Sequence, residues 1–137
     1  MIVVDASILT DFLLGRAAAV EALEQGQAGR EQRPLAAPDL VESETLNALR
    51  KLVGRGDVAE PRASEAVGTL ASVRMLRFPF APLRERVWEL RHNLTAYDAA
   101  YLALAEALPD ATLLTGDRGL ARAAAESLGE GGVALVA

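Results

Sequence analysis

Five short apolar runs punctuate this chain, and helical patterning fills the stretches between them. The runs are Ile2-Val3-Val4, Leu35-Ala36-Ala37, Met75-Leu76-Arg77-Phe78, Thr112-Leu113-Leu114-Thr115 and Val133-Ala134-Leu135-Val136. Each is too short for a stable helix. Ile2-Val3-Val4 is β-branched and apolar throughout, as in a strand buried on both faces. Strands that alternate with helices pair in parallel, so the chain is expected to be an α/β fold around a mainly parallel sheet. In such sheets ligands bind beyond the carboxyl ends of the strands, where the strand order reverses.

The connecting segments carry recognisable boundaries. A helix is expected up to Leu14, ended by Gly15. A second spans Ala17 to Gln27, its end loosened by Gly26 and Gly29, and the polar Arg30-Glu31-Gln32-Arg33 then forms a loop. Pro38-Asp39 opens a long helix to about Arg55, ended by Gly54 and Gly56. Another begins at Pro61, a position that suits proline at a helix start, and runs to about Ser72. Pro79 and Pro82 bound the third strand, after which Leu83, Val87, Leu90 and Leu94 mark one face of a helix. Ala96 to Leu108 is apolar nearly all round, as in a helix buried on most sides. Pro109-Asp110 turns the chain into the fourth strand. Arg118 to Leu128 is helical, and Gly129-Glu130-Gly131-Gly132 turns it into the last.

Composition removes several chemistries. The 137 residues, 51% of them hydrophobic, suffice for one domain with one core, expected over residues 1–137. There is no cysteine, which excludes disulfides and thiolate zinc sites. The lone His92 excludes a site built on two imidazoles and reads as a solvated helix residue. Met1 lies directly against the first apolar run, so no leader peptide is expected. No apolar run approaches the roughly 20 residues of a membrane helix, and a cytoplasmic protein is expected. The net charge of −5 argues against binding nucleic acid through a broad basic face. Bound divalent ions would cancel much of that charge locally. Lys51 is the only lysine, and the other basic residues are arginines, whose forked donors suit phosphate.

Against this background four carboxylates stand out, each at a break between an apolar run and a turn or helix start. They are Asp5, Glu44, Asp98 and Asp117. An ionised carboxylate among apolar neighbours is costly unless it is paired. A divalent cation held by oxygen ligands would serve all four, and it points to metal-assisted phosphodiester chemistry. Each acid also has a plainer reading. Asp5 and Asp117 suit helix N-caps, with Gly116 favouring a turn. Thr95-x-x-Asp98 resembles a capping box at the positive end of a helix. Yet Asp98 is the only charge between Thr95 and Glu106. On the Pro38–Arg55 helix, Asp39-x-x-Glu42 fits a capping box and gives Glu42 a structural task. Glu44 lies at the edge of the stripe formed by Val41, Ala48, Leu49 and Leu52, so it reaches a cleft, and Asn47 follows on the same side.

Together these segments resemble a PIN-domain ribonuclease, in particular the toxin of a VapBC-type toxin–antitoxin pair. The resemblance rests on Val3-Val4-Asp5-Ala6-Ser7, on Pro38-Asp39-Leu40 through Glu44 and Asn47-Ala48-Leu49, on Thr95-Ala96-Tyr97-Asp98-Ala99-Ala100-Tyr101-Leu102-Ala103-Leu104-Ala105, and on Leu114-Thr115-Gly116-Asp117. It spans the chain in order. It implies strand order 3-2-1-4-5, with the first and fourth strands adjacent. It further implies that Asp5, Asp98 and Asp117 ligate Mg²⁺ or Mn²⁺, and that Glu44 holds an attacking water or a second ion. Thr115 would be a supporting hydroxyl near Asp5, with Ser7 and Asn47 as further supporting residues. The implied activity is metal-dependent endoribonucleolytic cleavage leaving a 5′-phosphate and a 3′-hydroxyl. The implied partners are RNA, a VapB-type antitoxin and a second copy in a homodimer. The aromatic content is low for a reader of single-stranded RNA, which often stacks bases on rings.

Arg84, Trp88 and Arg91 share one helix side, as a surface tryptophan packed on a neighbour, an RNA platform or a protein contact. Rival functions fail on residues. A phosphorelay receiver needs a lysine at a late strand end, and Lys51 lies on a mid-chain helix. A haloacid-dehalogenase-type phosphatase needs a second Asp two residues after the first, where Ser7 stands. The remaining alternative is a PIN-like module that binds RNA or protein without cleaving.

Overall fold

The computed structural model describes residues 1–28 and 32–137. Gly29 and the Arg30-Glu31 part of the expected loop lie outside the described residues. Among the described residues five strands form one parallel sheet: β1 Ile2–Val4, β2 Leu35–Pro38, β3 Met75–Phe78, β4 Thr112–Thr115 and β5 Val133–Leu135. Their order is β3-β2-β1-β4-β5, as the resemblance implied. The chain therefore builds outward from β1 to one side, then returns to lay β4 on the other. β1 is the switch point, and its carboxyl end faces the crevice that such sheets use for ligands.

Among the described residues seven α-helices cover the sheet: α1 Ala6–Leu13, α2 Ala17–Gln27, α3 Val41–Gly54, α4 Glu60–Leu70, α5 Arg84–Glu89, α6 Ala96–Ala107 and α7 Arg118–Leu128. Alternation along the strands divides the core. Ile2, Val4, Leu35 and Leu114 meet Ile8 of α1 and Ala19 and Leu23 of α2. Val3, Ala36 and Leu113 face the other way, into a core shared with α3, α6 and α7. Every residue from Ala99 to Ala105 is buried, so α6 is enclosed on most sides, as its composition predicts. The outer strands are more open, with Leu76 and Leu135 among the exposed large apolar residues. Among the described residues no helix is long and apolar enough to cross a membrane.

Three boundaries differ from the sequence reading. Pro38 ends β2 rather than opening α3, because the Asp39 N–H continues the pairing to β3 by donating to Phe78 O at 2.8 Å. The helix starts at Val41 without a side-chain cap, so the Asp39–Glu42 capping box does not form. Glu42 instead pairs with Arg77 Nε at 2.5 Å, tying α3 to β3. The predicted helix over Leu83–Leu94 is broken into a 3₁₀ turn at Ala81–Leu83 and the short α5. Leu83, Val87 and Leu94 still reach the core. The Pro109-Asp110 turn forms, with Asp110 at φ 51, a left-handed conformation that aspartate tolerates.

Candidate active site

Asp5 follows β1 directly and is only 4% exposed. It is the N-cap of α1: Oδ1 accepts from Ile8 N at 3.0 Å and from Ser7 Oγ at 2.6 Å. Oδ2 accepts from Thr115 Oγ1, at the end of β4, at 2.5 Å. Both hydroxyls are themselves oriented by backbone donors. Ser7 Oγ accepts from Gly116 N at 3.1 Å, and Thr115 Oγ1 accepts from Asp117 N at 2.9 Å. These bonds lock the end of β1 to the turn after β4. A Cβ at position 116 would stand 3.1 Å from Ser7 Oγ, so glycine permits the close approach.

Asp117 caps α7, its Oδ1 accepting from Leu120 N at 2.7 Å. Thr95 caps α6 by accepting from Asp98 N at 3.2 Å, which leaves the Asp98 side chain at the helix's positive end. Capping and membership of the cleft are thus compatible at all three places. Glu44 projects from α3 and accepts from the Tyr101 hydroxyl at 2.6 Å. Asp5, Ser7, Glu44, Asn47, Asp98 and Asp117 line one cleft of about 410 Å³. Thr115 lies beneath it, fully buried.

The charge balance of this cleft is unusual. None of the four carboxylates forms a salt bridge among the described residues, although Asp11, Glu42, Asp57, Glu65, Glu89 and Glu106 all do. Burial raises the Asp5 pKa, against the pull of the Ser7, Thr115 and Ile8 donors. Burial raises Glu44 too, partly offset by Tyr101 and reinforced by Asp98 and Asp5. Asp98 is raised by burial and then by the charges of Asp117 and Asp5. The acids feel one another, and among the described residues no salt bridge relieves them.

The donor set is oxygen only, which suits a hard divalent ion. Asp5 Oδ1 takes the Ser7 hydroxyl and the Ile8 N–H while Oδ2 takes the Thr115 hydroxyl, so Oδ2 is the less committed oxygen. Among the described residues no three acids are drawn together into a ready-made cage. An ion here would be held by few carboxylates and complete its shell with water and substrate, the usual manner of Mg²⁺.

Sequence reasoning gave no role to Tyr101 or to the cations of the cleft. Tyr101 is 1% exposed, and burial together with Glu44 raises its pKa well above the ordinary phenol value, so it remains a donor. Its signal was a buried hydroxyl in an apolar helix, which requires a partner. Lys51 and Arg55 also line the cleft, and their signal was helical spacing from Glu44. His92 lies away from the acids, in a separate recess with Glu89 and Glu126. Trp88 is 66% exposed, and the Arg91 guanidinium stacks on its ring at 4.4 Å.

A parallel sheet of this order, with acids gathered beyond its switch point, defines a class, and residues 2–126 match the PIN domain family model. The chain belongs to the PIN-domain family. It is similar to Ribonuclease VapC1 of Mycobacterium tuberculosis strain H37Rv, with 42% identity over 123 residues covering 88% of this chain and 89% of that protein. VapC ribonuclease Mb0985 of Mycobacterium bovis is 41% identical over 119 residues, covering 85% and 86% of the two chains. Ribonuclease VapC12 of Mycobacterium tuberculosis strain H37Rv is 32% identical over 124 residues, covering 89% and 91%.

Proposed function

We propose that this chain is a divalent-metal-dependent endoribonuclease and the toxin of a VapBC-type pair. The observation that carries the reading is the set of four carboxylates, Asp5, Glu44, Asp98 and Asp117, lining one cleft, none of them in a salt bridge among the described residues. The similarity to proteins named VapC ribonucleases supports the substrate class and the antitoxin partner.

Asp5, Asp98 and Asp117 would hold Mg²⁺ or Mn²⁺, which when bound supplies positive charge to the scissile phosphate and lowers the pKa of a nearby water. Ser7 and Thr115 fix the Asp5 carboxylate, so it is presented from a rigid support. Glu44, steadied by Tyr101, orients the attacking water and takes its proton. The water oxygen bonds to phosphorus as the bond to the 3′ oxygen breaks. The products are a 5′-phosphate and a 3′-hydroxyl, the latter receiving a proton from solvent. Asn47 stands three residues beyond Glu44 on the cleft wall and supports the substrate.

The free protein is proposed to be a cytoplasmic homodimer. A basic side chain of the antitoxin, such as arginine, would pair with the acids and compete with the metal. Inhibition by antitoxin should then weaken as Mg²⁺ is raised, and should fall in Asp5→Asn and Asp98→Asn. Inhibition indifferent to both changes would place the contact elsewhere. A non-cleaving PIN-like module is the alternative, and the lack of a preformed acid cage among the described residues is the observation it would share. Incubating purified protein with RNA, with and without Mg²⁺ or Mn²⁺, separates the two: cleavage that needs the metal supports the enzyme, and binding without cleavage supports the module.

A further inference from the structure

We infer that the face of α3 leading away from Glu44 is a phosphate-binding rail, with Lys51 and Arg55 gripping the RNA backbone beside the scissile bond and Thr10 bonding it between them and the acids. The inference rests on the ribonuclease reading and adds where the substrate strand runs.

Glu44, Asn47, Ala48, Lys51, Leu52 and Arg55 all line the acid cleft, at the successive steps of three, one, three, one and three that keep residues on one helix face. Lys51 lies about 10 Å along the axis from Glu44, and Arg55 about 6 Å further. The stripe thus starts at a carboxylate and ends in two cations at intervals suited to successive phosphates of an extended strand. The availability of the cations differs sharply. Arg16, on the opposite wall, is tied to Asp11 at 2.7 Å. Among the described residues Arg55 forms a salt bridge only with Asp57, at 3.4 Å with both side chains more than half exposed. Lys51 is exposed and forms no salt bridge among the described residues.

A second observation points to a ligand in the same groove. Thr10 of α1 lines the cleft and is 3% exposed, and among the described residues its Oγ1, like that of the fully buried Thr45, has no hydrogen-bond partner. Buried hydroxyls are ordinarily satisfied, and an orphan on a cleft wall fits an acceptor delivered by the substrate, such as a phosphate oxygen or a 2′-hydroxyl. α1 packs against α3, so Thr10 and the α3 face border one channel. On a chain of net charge −5, this local path explains how an acidic protein holds a polyanion.

The test measures binding of a single-stranded oligoribonucleotide to Asp98→Asn protein in chelator, across a salt series, so that no cleavage enters. Adding Lys51→Gln and Arg55→Gln should weaken binding at least tenfold and reduce the salt slope by about 1.4, the loss of two phosphate contacts on a single strand. Arg74→Gln, which removes one cation just before the β3 edge strand, should change neither slope nor affinity beyond about twofold. Thr10→Val should weaken binding while leaving the melting temperature equal or higher, whereas a hydroxyl with a purely structural task would lower it. Unchanged slope and affinity in the Lys51/Arg55 variant, or an equal loss in Arg74→Gln, would overturn the rail while leaving the ribonuclease reading intact. Absence of RNA binding by the Asp98→Asn parent, joined to absence of cleavage by the wild type, would remove both.

Discussion

The Tyr101 hydroxyl donates to Glu44 Oε1 at 2.6 Å, joining two residues 57 positions apart and bridging α6 to α3 across the floor of the acid cleft. Glu44 is half-buried beside Asp98 and Asp5, and this bond is the recorded contact that favours its ionised form. Tyr101→Phe keeps the ring in the core and removes only the hydroxyl. Hydrogen bonds to charged groups contribute about 1.5–3 kcal/mol, so kcat should fall roughly tenfold or more with little change in KM. Loss of the donor raises the Glu44 pKa further, so the acid limb of the cleavage pH profile should move to higher pH. An unmoved acid limb would mean that Tyr101 only packs.

Glu42 and Glu44 are neighbours on α3 with different partners, Arg77 for the first and Tyr101 for the second. Glu42 pairs with Arg77 outside the cleft, both side chains being substantially exposed. Glu42→Gln should retain cleavage and lose at most about 1 kcal/mol of stability, the range of surface ion pairs. Glu44→Gln keeps an acceptor for Tyr101, so the fold stays, while the loss of proton acceptance should cost on the order of a hundredfold in kcat. Steady-state cleavage by both variants, beside their melting curves, decides the assignment. The reverse pattern would transfer the role to Glu42.

The raised acids also set a pH dependence of stability. Unfolded carboxylates titrate near about 4, and Asp5, Glu44 and Asp98 titrate above their ordinary values when folded. Between those values the native state holds more protons than the unfolded chain, so stability falls as pH rises through the window. Metal-free protein in chelator should therefore lose melting temperature as pH rises from about 4, the ordinary carboxylate value, through the raised values of these three acids. Asp98→Asn should lessen that loss. A wild-type melting temperature that rises steadily over that interval would contradict the raised values.

Much of the architecture was legible because it depends on short-range pattern. Ile2-Val3-Val4 is apolar without interruption and became the central strand, buried on both faces. The Ala96–Leu108 run was apolar all round and became the enclosed α6. The acids could be picked out by position, since Asp5 and Asp117 stand where strands end. What the sequence hid was long-range. Pro38 and Asp39 have the chemistry of a helix start, but pairing with Phe78 of β3 holds Asp39 in the sheet, and only the folded partner reveals that. Glu42 likewise had a local partner in Asp39, and a distant Arg77 won it. Tyr101 looked like one more core residue until its hydroxyl met Glu44. Residue identity located the acids, and topology decided which of them share a space.

Metal should act as the missing counter-charge, which melting curves can register without RNA. At about 100 times its dissociation constant, an ion binding one native site adds about 2.7 kcal/mol, a shift of several degrees for a domain of this size. Asp98→Asn should leave the metal-free protein at least as stable as wild type, because it relieves repulsion with Asp117 and Asp5. The same change should shrink the metal-induced shift. If Asp98 mattered only to the α6 N-terminus, the variant would lose stability equally with and without metal.

The central claim is that Asp5, Asp98 and Asp117 hold a metal, and Glu44 a water, for RNA cleavage. It is tested most directly by comparing wild type with Asp98→Asn, purified side by side, on a single RNA substrate in Mg²⁺, in Mn²⁺ and in chelator. The expected result is cleavage by wild type in metal, loss of that cleavage in chelator with recovery on adding the ion back, and at least a hundredfold slower cutting by Asp98→Asn. Products of the wild-type reaction should carry 5′-phosphates. Equal cutting by both proteins, or wild-type cutting that persists in chelator, would contradict the account.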